Sequence, residues 1–122
     1  MGQDAEVLDS AMALSRVGGD LEFLMDVVGI VQAACPTLIR DIQRAIADRD
    51  LRTLKKATHL VKTAADDVSA RRTYVCAIRI ETLARYGEWE AAGEACSALE
   101  QEVNQLRPAL AELENALWFS QC

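Results

Sequence analysis

The chain has 122 residues, a hydrophobic fraction of 51% and a formal net charge of −6. That length suits one domain large enough to bury a real core. The acidic balance, 19 carboxylates against 13 basic side chains, argues against a dedicated nucleic-acid binder and against attachment to an anionic membrane.

After a short polar lead, Val7 to Arg16 reads as a brief helix capped at Asp9 and ended by Gly18-Gly19. Asp20 caps a second helix whose inward stripe is Leu21, Leu24, Val27, Val28, Val31 and Ala34. Pro36 is expected to break or kink that run. Leu38, Ile39, Ile42, Ala45 and Ile46 then carry the stripe on to Asp48-Arg49-Asp50.

Asp50 caps the next helix, which runs to about Asp67. Ser69 is expected to cap the one after it, with an apolar face of Thr73, Cys76, Ala77, Ile80, Leu83 and Ala84 and a closing Gly87. The last helix begins near Glu88-Trp89. Its Ala92, Cys96, Leu99, Val103, Leu106, Leu110, Leu113 and Leu117 alternate steps of four and three, the heptad seam of a left-handed bundle. Pro108 should bend it, and its end should either fold back over the bundle or cover a partner chain.

The pattern predicts an all-α protein: an antiparallel up-and-down four-helix bundle with a short N-terminal helix and a long C-terminal helix. One domain is expected over residues 1–122, with the bundle core at about 8–112 and a helical extension at 113–122. No run approaches the ~18 uninterrupted apolar residues of a membrane span, and Asp4, Glu6 and Asp9 do not suit a signal peptide. A cytoplasmic protein is the expectation. Cys35, Cys76 and Cys96 occupy helix-periodic apolar positions and read as reduced core thiols, with Cys122 a mobile terminal thiol. Widely spaced cysteines and one histidine do not suit a zinc site.

That histidine, His59, is the residue that suggests chemistry. At about 100° per residue, Leu54, Ala57, Val61, Ala64, Ala65 and Val68 share one arc of the third helix, and His59 projects from the opposite side. Around it stand Arg52, Lys55, Lys56, Lys62 and Thr63, with Asp66 further along. Cations repel a metal, no nucleophile pattern suggests a triad, and a convex helix surface is no pocket for acid–base work. What remains is a nucleophilic imidazole whose co-reactant arrives on a partner protein. Ammonium groups would stabilise a phosphoryl group in transit, because its charge is spread over three equatorial oxygens. Lys62 is the best placed for this; Arg52, Lys55, Lys56, Thr63 and Asp66 are candidate partner contacts.

Ala57-Thr58-His59-Leu60-Val61-Lys62 resembles the A-x-H-x-x-K core of histidine-containing phosphotransfer (HPt) domains. Gly18-Gly19-Asp20, Ala45 to Asp50, Ile80-Glu81-x-Leu83-Ala84-Arg85-x-Gly87 and Leu99 to Leu110 resemble further segments of that family, so the likeness spans roughly residues 8–112. The resemblance implies a phosphocarrier of two-component phosphorelays with no kinase activity of its own. His59 would accept the phosphoryl group from a receiver-domain aspartate and Lys62 would stabilise it. The implied partners are a response-regulator receiver domain and a hybrid sensor kinase, with no cofactor on this chain and Mg²⁺ on the receiver. A homodimer through the C-terminal helix is a further expectation, as is a degenerate bundle serving only as an interaction module. Three features depart from the family pattern: Thr63 stands where glycine is usual, Asp67-Val68-Ser69 replaces an N-x-G turn, which should lose the tight glycine geometry, and Asp66 and Asp67 bring negative charge to within about two turns of His59.

Overall fold

A computed structural model describes residues 7–121, leaving out the side chain of Gln121. The expectations for Asp4, Glu6 and Cys122 lie outside the described residues. Five helices follow in chain order: α1 (Ser10–Arg16), α2 (Leu21–Ala47), α3 (Leu51–Asp67), α4 (Arg71–Arg85) and α5 (Trp89–Gln121). The described residues are all helix and connecting turns, as the sequence pattern predicts.

Three aspartates start three of the helices by the same device. The carboxylates of Asp9, Asp20 and Asp50 accept the backbone N–H of Met12, Phe23 and Thr53, at 3.0, 3.0 and 3.1 Å. Each satisfies a donor that has no partner inside the helix. Because Asp9 is the cap, α1 starts at Ser10 and not at Val7.

The helix ends are equally uniform. After α2, α3 and α4 the chain places one residue in the left-handed region, Arg49 (φ 51°), Ser69 (φ 55°) and Gly87 (φ 78°), and after α1 it places two, Gly18 (φ 68°) and Gly19 (φ 81°). The following N–H then reaches back five residues, from Gly19 to Leu14, Asp50 to Ala45, Ala70 to Ala65 and Glu88 to Leu83, all at 2.8–2.9 Å. These are Schellman closures, which absorb the orphan carbonyls of the last turn. The α3–α4 turn thus keeps the left-handed geometry without glycine, contrary to the sequence expectation. Ser69 is committed to closing α3 and does not cap α4. Ala70 holds that position and offers no side-chain hydrogen bond.

Pro36 lies inside α2, which runs unbroken for 27 residues. Of the break or kink expected there, the break does not occur: Pro36 sits at an exposed position while Val31, Cys35, Ile39 and Ile42 stay buried on the other side. The apolar stripe therefore holds the helix together across one missing N–H. α5 is likewise a single helix of 33 residues through Pro108, about 50 Å at ~1.5 Å per residue.

Around the bundle, α2 neighbours α3 and α5, α4 neighbours α3 and α5, and α1 rests on α2. The core is built from Leu24, Val28 and Ile42 of α2, Leu54 and Val61 of α3, Ala77 and Ile80 of α4 and Leu99, Leu106 and Leu110 of α5. The heptad seam of α5 is buried as predicted, apart from Leu113, which is half-buried. Arg72 of α4 pairs with Glu102 of α5 at 2.6 Å. Cys35 and Cys96 are buried, whereas Cys76 is only partly so.

The length of α2 settles the fate of the α5 end. Gln32 Nε2 donates to the carbonyl of Arg107 at 3.2 Å. A Cβ built on Gly29 would lie 3.6 Å from Glu114 Oε2. The two long helices therefore pack antiparallel past the prolines, and Leu110 and Leu117 are buried within the chain. Among the large apolar residues of that end, Trp118 and Phe119 are exposed. One consequence is that α2 is long and apolar enough to span a membrane by composition, with a window mean hydropathy of 1.5. In the fold its inward face supplies core to the bundle.

Candidate functional site

α3 presents two unlike faces because its apolar residues recur at helical spacing. Leu54, Ala57, Val61 and Ala65 are buried, while Arg52, Lys55, Lys56, His59, Thr63 and Asp66 are exposed. His59 sits mid-helix on that exposed face, and its imidazole makes no hydrogen bond or ion pair among the described residues. A partner can therefore reach the ring without displacing an internal contact. Arg52, Lys55 and Lys56 form no salt bridge among the described residues, so the expected cationic surface beside His59 is present.

Lys62 differs from the other cations. Its Nζ lies 3.3 Å from Glu81 Oε1 on α4, with the two side chains 25% and 15% exposed. Glu81 also accepts from Arg85 Nη2 at 2.8 Å, one turn along α4. Thr58, fully buried beside His59, adds its hydroxyl: Oγ1 donates toward the carbonyls of Leu54 and Lys55 at 3.0 and 3.2 Å and lies 3.5 Å from Glu81 Oε1. Burial pushes the Glu81 carboxyl upward, but hydrogen bonds and charge from Lys62 and then Arg85 outweigh it, holding the group below its ordinary range. A carboxylate on the neighbouring helix thus fixes the ammonium group one turn from His59.

Glu81 and Arg85 are not among the residues that the pattern of α3 brings forward, although both stand in the segment that carries the family likeness. The local signal was a carboxylate next to buried Ile80, half-buried where an unpaired charge would be costly. Such a residue needs a cation from across the helix interface, and Lys62 is the one supplied.

Thr63 Oγ1 donates to the His59 carbonyl at 3.0 Å. The hydroxyl proton is therefore committed to the backbone, and the side chain lies back along its own helix. Asp66 is exposed one turn beyond Lys62 and is not in a salt bridge among the described residues. On the α2 side of the same face, Leu60 is 53% exposed and Asp41, Arg44, Asp50, Thr53 and Lys56 line a surface groove of about 310 Å³. Among the described residues no cluster of three or more His, Cys, Asp or Glu side chains could hold a metal ion.

An exposed mid-helix histidine, a fixed lysine one turn on and a four-helix scaffold behind them agree with a direct comparison. A family model described as Hpt domain matches residues 26–109. The chain belongs to the Hpt-domain family. Comparison with curated proteins and with solved structures returns no match. The matched span includes His59, Lys62, Glu81 and Arg85 of this Hpt domain and ends where α5 passes Pro108. Hpt domains act in histidine phosphotransfer within phosphorelays, working with receiver domains and kinases, and they carry phosphoryl groups rather than turn over a substrate.

Proposed function

We propose that this Hpt domain is a phosphocarrier that accepts a phosphoryl group on His59 from a receiver-domain aspartate and passes it on, in the cytoplasm. The observation that carries this reading is the unpartnered imidazole on the exposed face of α3. A ring nitrogen, Nε2 being the more accessible, attacks the phosphorus of the receiver's acyl phosphate. A nitrogen–phosphorus bond forms, the oxygen–phosphorus bond breaks, and the aspartate leaves as carboxylate. The reverse step returns the group to a receiver.

Lys62 stabilises the equatorial oxygens during transfer, and Glu81 holds Lys62 ready. Arg52, Lys55 and Lys56 steer an acidic receiver surface, an effect on encounter rate that salt weakens. Thr63 and Asp66 border the approach path and bear on which receivers fit. Mg²⁺ belongs to the receiver's acidic pocket, and the chain needs no kinase activity of its own.

The reading is tested by mixing the protein with receiver domains phosphorylated by a small acyl phosphate. Radiolabel should move to the wild type and not to His59→Gln, with unchanged helicity in both. Lys62→Ala should still accept label, about tenfold or more slowly. Equal labelling of His59→Gln would overturn the assignment.

A further inference from the structure

The carboxylate of Glu81 is divided between Lys62 and Arg85. Its Oε1 faces α3, 3.3 Å from Lys62 Nζ and 3.5 Å from Thr58 Oγ1, whose proton goes to carbonyls of its own helix. Its Oε2 accepts from Arg85 Nη2 at 2.8 Å. Glu81 and Arg85 are i,i+4 neighbours on α4, so that pair forms without help from α3. The Lys62 contact is the longer of the two and crosses the helix interface.

Phosphotransfer sets up a competition for Lys62. A phosphoryl group on His59 brings negative charge to within one turn of it, and an ammonium group that leans toward that charge leaves Glu81. The Glu81 side chain is 15% exposed, and a carboxylate so placed is costly to leave without a cation. Were Lys62 its sole partner, the carboxylate would hold the ammonium back and set like charge beside the arriving phosphoryl group. Arg85 changes both terms of that contest. It holds the far oxygen, with its own side chain 56% exposed, and keeps Glu81 neutralised whichever way Lys62 points.

We propose that Arg85 is a positioning residue for phosphotransfer: by keeping the Glu81 carboxylate paired, it lets Lys62 turn to the phosphoryl group on His59. The proposal rests on the phosphocarrier reading and adds a residue that acts without touching the phosphoryl group. The effect of Arg85 runs through Glu81, so it vanishes when Glu81 is uncharged. A direct grip of Arg85 on the phosphoryl group, or on a docked receiver, would persist without Glu81.

The test labels the full-length protein from two donors, a phosphorylated receiver domain and phosphoramidate, which is too small to dock. With phosphoramidate a ring nitrogen of His59 attacks phosphorus and a new nitrogen–phosphorus bond forms. The donor's own nitrogen–phosphorus bond breaks, and ammonia leaves as ammonium with the ring's proton. Arg85→Ala should take label about tenfold more slowly from either donor at saturation, with helicity and the half-saturating receiver concentration unchanged. Arg85→Lys keeps the charge and should stay within about threefold of wild type. Glu81→Gln/Arg85→Ala should match Glu81→Gln alone and label several-fold faster than Arg85→Ala. Three results would overturn the proposal: a double variant as slow as Arg85→Ala, a defect confined to the receiver, or wild-type rates in Arg85→Ala. The expected pattern with phosphoramidate, but no label from any receiver, would support the role of Arg85 and overturn the carrier reading. A wild type labelled by neither donor would overturn both.

Discussion

Lys62 Nζ and Glu81 Oε1 stand 3.3 Å apart across the α3–α4 interface, so the ammonium group one turn from His59 is positioned by the neighbouring helix. Glu81 is in turn shared with Arg85 and touched by Thr58. This makes the geometry beside His59 a property of two packed helices.

Replacing Glu81 with Gln should release Lys62 and cost about 1 kcal/mol of stability, a modest value because the pair is partly solvated. The Glu81 carboxyl is held below its ordinary value of 4.5 in the fold. Its contribution is therefore complete above that value and disappears as pH falls through the lower folded value. Urea titrations of wild type and Glu81→Gln should differ at neutral pH and converge in strong acid. A gap that widened on acidification would contradict the sign.

Ser69 and Arg49 hold the left-handed position of Schellman closures at φ 55° and 51°. A side chain there costs roughly 1–2 kcal/mol, offset in part by the greater freedom glycine gains in the unfolded chain. Ser69→Gly should stabilise by about 0.5–1 kcal/mol, helped by removal of a buried hydroxyl that lacks a partner. Gly87→Ala, at φ 78°, should destabilise by about 1 kcal/mol. Thermal midpoints of the two variants moving in the same direction would refute this account of the turns.

Pro36 removes one hydrogen bond inside α2 while sitting on its exposed side. Pro36→Ala restores a donor to the Gln32 carbonyl and should stabilise by about 1–2 kcal/mol, allowing for the stiffer unfolded chain that proline provides. Chemical denaturation reads this directly. A loss of stability would mean that the proline shapes the contact with α5.

Burial raises all three described thiols above their ordinary range; Cys96 reaches about 11, with burial the main cause and Glu100 adding to it. At neutral pH they should be almost wholly protonated and slow to alkylate in the fold. Site-resolved mass spectrometry should show partly buried Cys76 modified before Cys35 and Cys96.

Much of this fold could be read from residue order, because apolar spacing and aspartate caps are local signals. Asp20 and Asp50 mark their helix starts, and the seam from Ala92 to Leu117 announces α5. Pro36 carries a local preference for a break or a kink, and the break is overridden by burial of Val31, Cys35 and Ile39 across it. Ser69 misled for a related reason: serine suits an N-cap, but the closure of α3 had first claim on it. His59 was legible from one helix alone. The Glu81 partnership was not, since it depends on which side of α4 turns toward Lys62.

The central claim is that His59 carries the phosphoryl group. The most direct measurement is peptide mapping of the protein after exposure to a phosphorylated receiver domain, with the label tested in acid and in base. The account predicts one modified peptide containing His59, its phosphate lost in acid and retained in base. A modification on any other residue, or none with every receiver tried, would contradict it.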